Sequence, residues 1–495
     1  MEKQHGSVSF SLPKHVLDVA QALSGAGFSV HLVGGCVRDL IMGRSVTDWD
    51  MTTDAHPDRI QEIFEHTVYE NEYGTVGVVC DAVEDPNHRV IEVTPYRKEA
   101  GYSDNRRPDS VTFGASLEED LARRDFTINA LAYDPIQQTI VDPHGGIADL
   151  HRGCIRTVGD PSERFSEDAL RLLRAVRIAA QLGGNIEEKT ESVLKQCAPR
   201  ITSVAVERIR DELVKITMSD HPADGVQMLC DVGLLEQVIP ELHAGVGIEQ
   251  NQAHSYDVFE HSIRTIEHAH TRSFRLEVRI AALLHDIGKV PTREWVQNKK
   301  DWTFHAHEVV GARMVRTILK RLSFSKAITE TVTLLVRWHM FFSDPDQVSL
   351  SGVRRMIARV GEEHIWDLID LRMCDRIGTG RPKEQPYRLR KYISLIEEVL
   401  REPVTPGVLA LDGTDLMREL AMKPGPRVGH ILHALLGDVL DDPKKNTKEH
   451  LIEQAKKLTA LSDKDLIARG EAGKVRRFEE DEEQSAAIRK KYGVS

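Results

Sequence analysis

Residues 31–53 read HLVGGCVRDLIMGRSVTDWDMTT. The segment turns at Gly34-Gly35, carries Arg38 and Asp39, and closes on two aspartates, Asp48 and Asp50, that flank Trp49. In extended chain, residues i and i+2 face the same way with α-carbons about 6.5–7 Å apart. Two carboxylates on one face repel unless a cation sits between them. Hard oxygen ligands of this kind suit Mg²⁺, which keeps positions for water and phosphate oxygens. Two such ions lower the cost of charge on the attacking and leaving oxygens of a phosphoryl transfer. The paired glycines suit the same chemistry, because bare backbone lets N–H groups approach a triphosphate. A lone D-x-D tripeptide is more at home in a solvated turn; the surrounding spacing reverses that balance in favour of the metal.

Outward from this stretch, HVLDVAQALSGAG has helical periodicity and ends at glycine, and FSVHLVGG reads as a strand running into a turn. TVGVVCDAV and RVIEVTPY are β-branched runs that predict a small sheet. From about residue 160 strand signals nearly vanish, and EDALRLLRAVRIAAQL, VAVERIRDELVKI and HEVVGARMVRTILKRL carry long helical periods. The expected fold is α+β, a sheet-bearing head on an all-helical body. With 495 residues, more than one core is needed. The expected division is a head over 1–155, a helical body over 156–240, a third segment over 241–402, a helical tail over 403–455 and a charged extension over 456–495. That extension, with its acidic run EEDEE, reads as solvated helix or disorder.

The formal net charge of -12 argues against nonspecific coating of nucleic acid, while leaving room for local arginine clusters that steer an RNA into one cleft. Six scattered cysteines form no C-x-x-C pair, so reduced thiols are expected. The N-terminal MEKQHGSVSF lacks the apolar core of a signal peptide, and no apolar run approaches the roughly 18 residues of a bilayer span. A cytoplasmic protein is expected.

GGCVRDLIMGRSVTDWDMTT resembles the signature of class II tRNA nucleotidyltransferases, the CCA-adding enzymes, and of their bacterial poly(A) polymerase relatives within the polymerase-β-like superfamily. The resemblance implies a polymerase-β-like head in which Asp48 and Asp50 hold catalytic Mg²⁺ and Gly35 and Arg38 contact the incoming nucleotide. An Arg38–Asp39 pair is the competing reading. TPYRKEAGYSDNRRPDSVTF is similar to the family's flexible loop and ARRDFTINALAYD to its next motif. There Arg124 corresponds to a triphosphate contact, braced by Asp125 and Asn129. Glu92 is either a third carboxylate near the metals or a charge on an exposed strand face.

SEDALRLLRAVRIAA, from Ser166, carries Asp168, Arg171, Arg174 and Arg177. At steps of three these form a slanting row on one predicted helix, where an Asp168–Arg171 surface ion pair is the ordinary alternative. Three arginines among Leu172, Leu173, Val176 and Ile178 ask for an anionic partner. By the resemblance, Asp168 and Arg171 read the base and Arg174 and Arg177 help bind the nucleotide. Chemistry agrees: cytosine and adenine each offer an exocyclic amine beside a ring nitrogen acceptor, matching a carboxylate and a guanidinium. Uracil and guanine put a carbonyl oxygen where the amine was.

Farther on, YDVFEHSIRTIEHA, AALLHDIGKVPT, FHAHEVVGARM, VRWHM and LRMCDRIG occur in order. This set resembles the HD metal-dependent phosphohydrolases, making 241–402 an HD domain. His261, His285, Asp286 and Asp375 correspond to one metal's ligands. His307 and His339 fall where two-metal relatives supply a second set, with His305 a rival to His307. Imidazole and carboxylate together suit a divalent transition metal. 2′,3′-Cyclic phosphates or nucleotide phosphomonoesters are the candidate substrates. In the tail, Pro424-Gly425-Pro426 before a fresh helix is either an RNA phosphate contact or a tight connector.

The expected function is addition of CCA, or part of it, to tRNA 3′ ends from CTP and ATP without a template, with tRNA as partner and no membrane. The alternatives are an A-adding-only enzyme, a poly(A) polymerase, or, from another class, an HD nucleotide phosphohydrolase with an inactive head. Oligomeric state is not legible.

Overall fold

The computed structural model describes residues 6–69, 74–80, 83, 89–100, 110–252, 255–341, 349–401 and 405–494. The chain packs as two compact units. One comprises 1–339 with 370–382, the other 340–369 with 383–495.

The first unit begins with the sheet. Its strands are β1 (Gly6–Ser7), β2 (Val30–Val33), β3 (Asp50–Thr53), β4 (Thr67–Tyr69), β5 (Val76–Val79), β6 (Val90–Pro95), β7 (Arg97–Ala100), β8 (Ser110–Phe113), β9 (Ala132–Asp134) and β10 (Thr139–Val141). Eight of them form one sheet in the order β1-β10-β9-β2-β3-β6-β5-β4, while β7 and β8 pair separately. Only β3 and β6 run parallel; every other neighbour in the large sheet is antiparallel. The predicted runs at 28–35, 75–83 and 89–96 supply β2, β5 and β6. In β6 the alternation is plain: Ile91 and Val93 are buried and Glu92 is exposed. The helix Lys14–Gly25 presents Val16, Val19, Ala20 and Leu23 at helical spacing, and these pack with Leu32, Met51, Ile91 and Val93 in the head core. Residues 101–109 of the flexible-loop motif lie outside the described residues.

The body is helical, with three departures from expectation. Asp168 does not share a helix with the three arginines. One helix ends at Glu167 (Pro161–Glu167) and the next starts at Arg171 (Arg171–Leu182). Asp168 itself is extended (φ -143°, ψ 108°), and its carboxylate accepts the Leu170 N–H at 2.9 Å, a local bond that competes with the helical ladder. Second, strands do recur after residue 160: Arg293–Val296 pairs with Asp301–Phe304 as an antiparallel hairpin. Its run of single aromatics between charges carries too little alternation to stand out against helices. Third, the terminal extension is neither disordered nor simply solvated.

That extension belongs to the second unit, as the helix Asp463–Lys491. It lies against Pro426–Asp441, where Gly437 meets Gly473: a Cβ on Gly473 would fall 1.9 Å from the His433 carbonyl oxygen. Leu466 joins Leu416, Ile431, Leu435 and Leu451 in this unit's core. Among the described residues no helix is long and apolar enough to cross a membrane. All six cysteines are free thiols.

Candidate functional site

The first site stands on β2, β3 and the turn between Val33 and the helix Gly35–Ile41. Gly34 occupies φ 78°, ψ -136°, a conformation closed to residues with a Cβ, and it makes room as well as a turn. A Cβ there would lie 3.1 Å from Arg124 Nη1 and 3.6 Å from Asp50 Oδ2. The glycine thus lets the guanidinium and the carboxylate meet over bare backbone. No side chain caps the helix after it.

Asp50 is the first residue of β3; Asp48 precedes the strand and is exposed. Burial raises the Asp50 carboxyl above the usual carboxylate range, Arg124 and Arg174 pull it back, and Asp48 is near enough to push it further up. One member of the pair thus sits partly within the protein and the other at the surface. Beside it, the β3–β6 register sets Asp50 opposite Glu92, which places a third carboxylate on that face.

Arginines line the other side through a continuous network. Arg38 holds Asp39 in a bidentate pair (2.9 and 3.0 Å) and donates from Nη1 to Asn129 Oδ1 at 3.0 Å. The competing Arg38–Asp39 pair is thus present. Asn129 Nδ2 donates to Asp125 Oδ1 at 3.1 Å, and Arg174 Nε donates to Asp125 Oδ2 at 2.7 Å. Burial alone would raise the Asp125 carboxyl, but Arg174 and Arg171 hold it far below the usual range. Through Asp125 and Asn129, the arginine helix is tied to the head motif. Arg124 packs against buried Asp120 at 3.5 Å, and its Nε is buried with no hydrogen-bond partner among the described residues.

The two proposed base readers do not pair with each other. Asp168 Oδ2 accepts from Arg208 Nη2 at 2.7 Å. Arg171 pairs with Glu167 and donates to the Arg123 and Arg164 carbonyls at 3.2 and 3.1 Å. Arg177 Nε lies 2.7 Å from Glu212 Oε2. Arg208 and Glu212 sit four apart on Val206–Thr217, one turn of a helix that packs on Arg171–Leu182. Sequence reasoning assigned neither; the i,i+4 spacing of opposite charges in VERIRDEL was the available signal.

The second site is deeply buried. His261 comes from the helix Val258–Thr271, His285 and Asp286 from the end of Leu276–Leu284, His307 from the start of His307–Arg321, His339 from the end of Lys326–Trp338, and Asp375 from Ile365–Gly378. Asp286 stands at the centre with its two oxygens facing different pairs. Oδ2 lies 3.3 and 3.2 Å from Nε2 of His261 and His285. Oδ1 lies 3.4 and 3.7 Å from Nε2 of His307 and His339. Asp375 Oδ1 joins the first group, 3.4 Å from His261 Nε2. All six predicted ligands meet here, and His305, the rival to His307, is exposed two residues away.

Tautomers are set locally. His285 Nδ1 faces the Ala282 carbonyl at 3.0 Å, His307 Nδ1 that of Phe304 at 2.8 Å, and His339 Nδ1 that of Val336 at 2.7 Å. Each Nδ1–H donates outward and leaves Nε2 facing the centre, which is how a metal-binding imidazole is oriented. Nε2 of His307 and of His339 is buried with no hydrogen-bond partner among the described residues. Burial pulls the His285 imidazole down, yet Asp286 and Asp375 outweigh it and push it up to about 10. The same negative field suits a divalent cation. The donors His261, His285 and Asp286 form one compact triad, and Asp286, His307 and His339 another. Residues fit metal at both sites. Gly288 makes the crossing possible: a Cβ there would fall 2.1 Å from the His307 carbonyl oxygen.

Comparison with known proteins bears on both halves. Residues 30–156 match the poly A polymerase head domain and residues 258–396 the HD domain, with the family described as 'probable RNA and SrmB-binding site of polymerase A' matching 184–245 between them. The CCA-adding enzyme of Lactobacillus helveticus is 34% identical over 439 residues, 88% of this chain and 94% of the relative. That of Enterococcus faecalis is 32% identical over 455 residues, covering 91% and 97%. The crystal structure of the Bacillus stearothermophilus CCA-adding enzyme in complex with CTP aligns over 90% of this chain and 97% of its own at 28% identity, TM-score 0.59. The Thermotoga maritima CCA-adding enzyme complexed with tRNA shares the fold at 18% identity, TM-score 0.51, over 93% and 100%. With relatives this similar along nearly their whole length, and with a polymerase head and an HD domain in the same order, the chain belongs to the family of CCA-adding enzymes.

Proposed function

We propose that this chain extends tRNA 3′ ends with C and A residues from CTP and ATP, selecting each nucleotide with side chains rather than a template. The observation that carries the reading is the seat of Asp50, a half-buried carboxylate under a glycine turn, faced by Arg124 and flanked by Asp48 and Glu92. The terminal ribose hydroxyl of the tRNA attacks the α-phosphorus of the nucleotide; the new O–P bond forms as the bond to pyrophosphate breaks. Divalent cations, Mg²⁺ by the hardness of the donors, would be held by Asp48 and Asp50 and would spread charge from the attacking and leaving oxygens. Arg124, Arg38, Arg174 and Arg177 gather the anionic triphosphate, with bare backbone at Gly34 and Gly35 beneath it.

In this reading Asp168 and Arg171 read the base, each held by its own partner. Arg208 holds the Asp168 carboxylate in place, so an exocyclic amine is accepted and a carbonyl oxygen is repelled. Glu167 orients Arg171 as a donor to the ring nitrogen. The HD cluster is assigned a metal-dependent phosphohydrolase activity on 2′,3′-cyclic phosphates or nucleotide phosphomonoesters. Its imidazole-rich donor set suits a transition metal. A cytoplasmic location is proposed, where reduced thiols such as these six cysteines persist.

The experiment supplies purified protein with tRNAs ending before the first C, after the first C and after the second C. CTP and ATP are given separately and together, and product lengths are read on a gel. Full CCA addition extends all three substrates to one length. Extension of only the CC-ended tRNA would mark an A-adding enzyme, and long A tails a poly(A) polymerase.

A further inference from the structure

The hairpin Arg293–Val296/Asp301–Phe304 takes no part in the chemistry above, yet one of its faces leads into the HD cluster. The register pairs Trp295 with Trp302 and Arg293 with Phe304, so these four side chains share a face. The Trp295 and Trp302 rings meet edge to face, centroids 5.1 Å apart, and the Arg293 guanidinium stacks 3.6 Å over the Trp302 ring. At the inner end, Phe304 is buried; its carbonyl accepts from His307 Nδ1, and the Lys289 ammonium lies 5.7 Å over its ring. That ammonium is also 2.6 Å from Asp286 Oδ2. At the outer end, Trp295 remains 43% exposed, and the turn carries exposed Lys299 and Lys300.

A tryptophan pair that only stapled the strands would gain most by covering both rings. Here one ring stays open, with an arginine stacked on its neighbour and two exposed lysines in the adjoining turn. Glu294 and Asp301 alternate onto the opposite face, where Asp301 accepts from the Gln252 N–H at 3.3 Å; on the aromatic face Arg293 has the exposed Glu249 carboxylate 3.7 Å away. Open aromatic faces with interleaved cations are the chemistry that holds unpaired nucleobases and their phosphates.

We propose that this hairpin is a base-stacking platform. Trp295 holds the base of a nucleotide whose 2′,3′-cyclic or terminal phosphate then reaches the cluster around Asp286. The proposal rests on the phosphohydrolase reading of that cluster. Full-length protein with added Mn²⁺, Co²⁺ or Ni²⁺ is assayed on three esters: adenosine 2′,3′-cyclic phosphate, an oligoribonucleotide ending in that group, and methyl riboside 2′,3′-cyclic phosphate, which has no base. Trp295→Ala raises KM for both base-bearing esters about tenfold with kcat retained, leaves the base-free ester unchanged, and is rescued by Trp295→Phe. Equal effects on all three esters, or none, overturn the platform. A lower KM for the oligonucleotide than for the mononucleotide, lost in Lys299→Ala/Lys300→Ala, identifies an RNA end as the source; equal values identify the free nucleotide. If no ester is hydrolysed with any cation, the phosphohydrolase reading fails by itself. The platform is then judged by saturable quenching of tryptophan fluorescence by adenosine 2′,3′-cyclic phosphate. Loss of quenching in Trp295→Ala supports it, and quenching unchanged in that variant overturns it.

Discussion

The two carboxylate-bearing sites of the first unit solve one problem in opposite ways. In the head, Asp48 is at the surface and Asp50 half-buried, and the positive charge around them is spread over arginines tied into pairs with Asp39, Asp125 and Glu212. In the HD cluster all six donors are buried, and three imidazoles are fixed by carbonyls one turn earlier in their own chain. The head is a partly open seat whose arginines are already paired with carboxylates. The HD cluster is preformed, because a mispositioned imidazole so deep has neither water nor another partner. An open site leaves charge to be shared with substrate, whereas a buried one must be complete on folding.

The independence of the two sites is the strongest part of this contrast to break. Asp286→Ala removes the carboxylate shared by both triads and abolishes phosphohydrolysis, while nucleotide addition by the same preparation continues; loss of both activities would refute two separate sites. Conversely, Asp50→Asn lowers nucleotide incorporation by about 10³-fold or more and spares hydrolysis, which steady-state rates on tRNA lacking its CCA end will measure.

A smaller effect sharpens the account of the open seat. Asp168→Ala lowers the preference for CTP over UTP by roughly ten- to hundred-fold, the worth of one charge-assisted hydrogen bond and the repulsion lost with it. Misincorporation assays with single nucleotides read this directly, and unchanged selectivity would remove Asp168 from base reading.

The smallest is a stability effect. Asp125→Asn breaks the junction to Arg174 and costs about 2 kcal/mol at neutral pH, less than a fully buried pair because Arg174 keeps part of its side chain in solvent. Asp125 titrates below the 3.8 of an unperturbed aspartate. Its contribution is therefore full above that value and is lost as pH falls through the depressed one. Urea midpoints of wild type and variant should separate at pH 7 and converge in acid.

Local spacing made much of this legible. Asp48 and Asp50 with the glycine turn, and His285-Asp286 with histidines in order before and after, are patterns whose chemistry lies within a few residues. The helix Lys14–Gly25 followed from its periodicity and strands β2, β5 and β6 from short apolar or β-branched runs, because each packs apolar residues into the head core. The row from Asp168 to Arg177 was misread for the same reason: a continuous helical period runs across it, while one hydrogen bond from Leu170 to the Asp168 carboxylate interrupts the helix.

Residue types and short intervals thus determined the fold class, the carboxylate pair and the histidine set. Tertiary structure decided which charges answer one another: Arg208 for Asp168, Glu212 for Arg177, Asp125 for Arg174, and His307 over His305. It also decided that an aromatic hairpin adjoins the buried cluster. A lone chain fixes what each side chain can donate or accept, but its partner lies tens of residues away, and only packing chooses among many of equal chemistry.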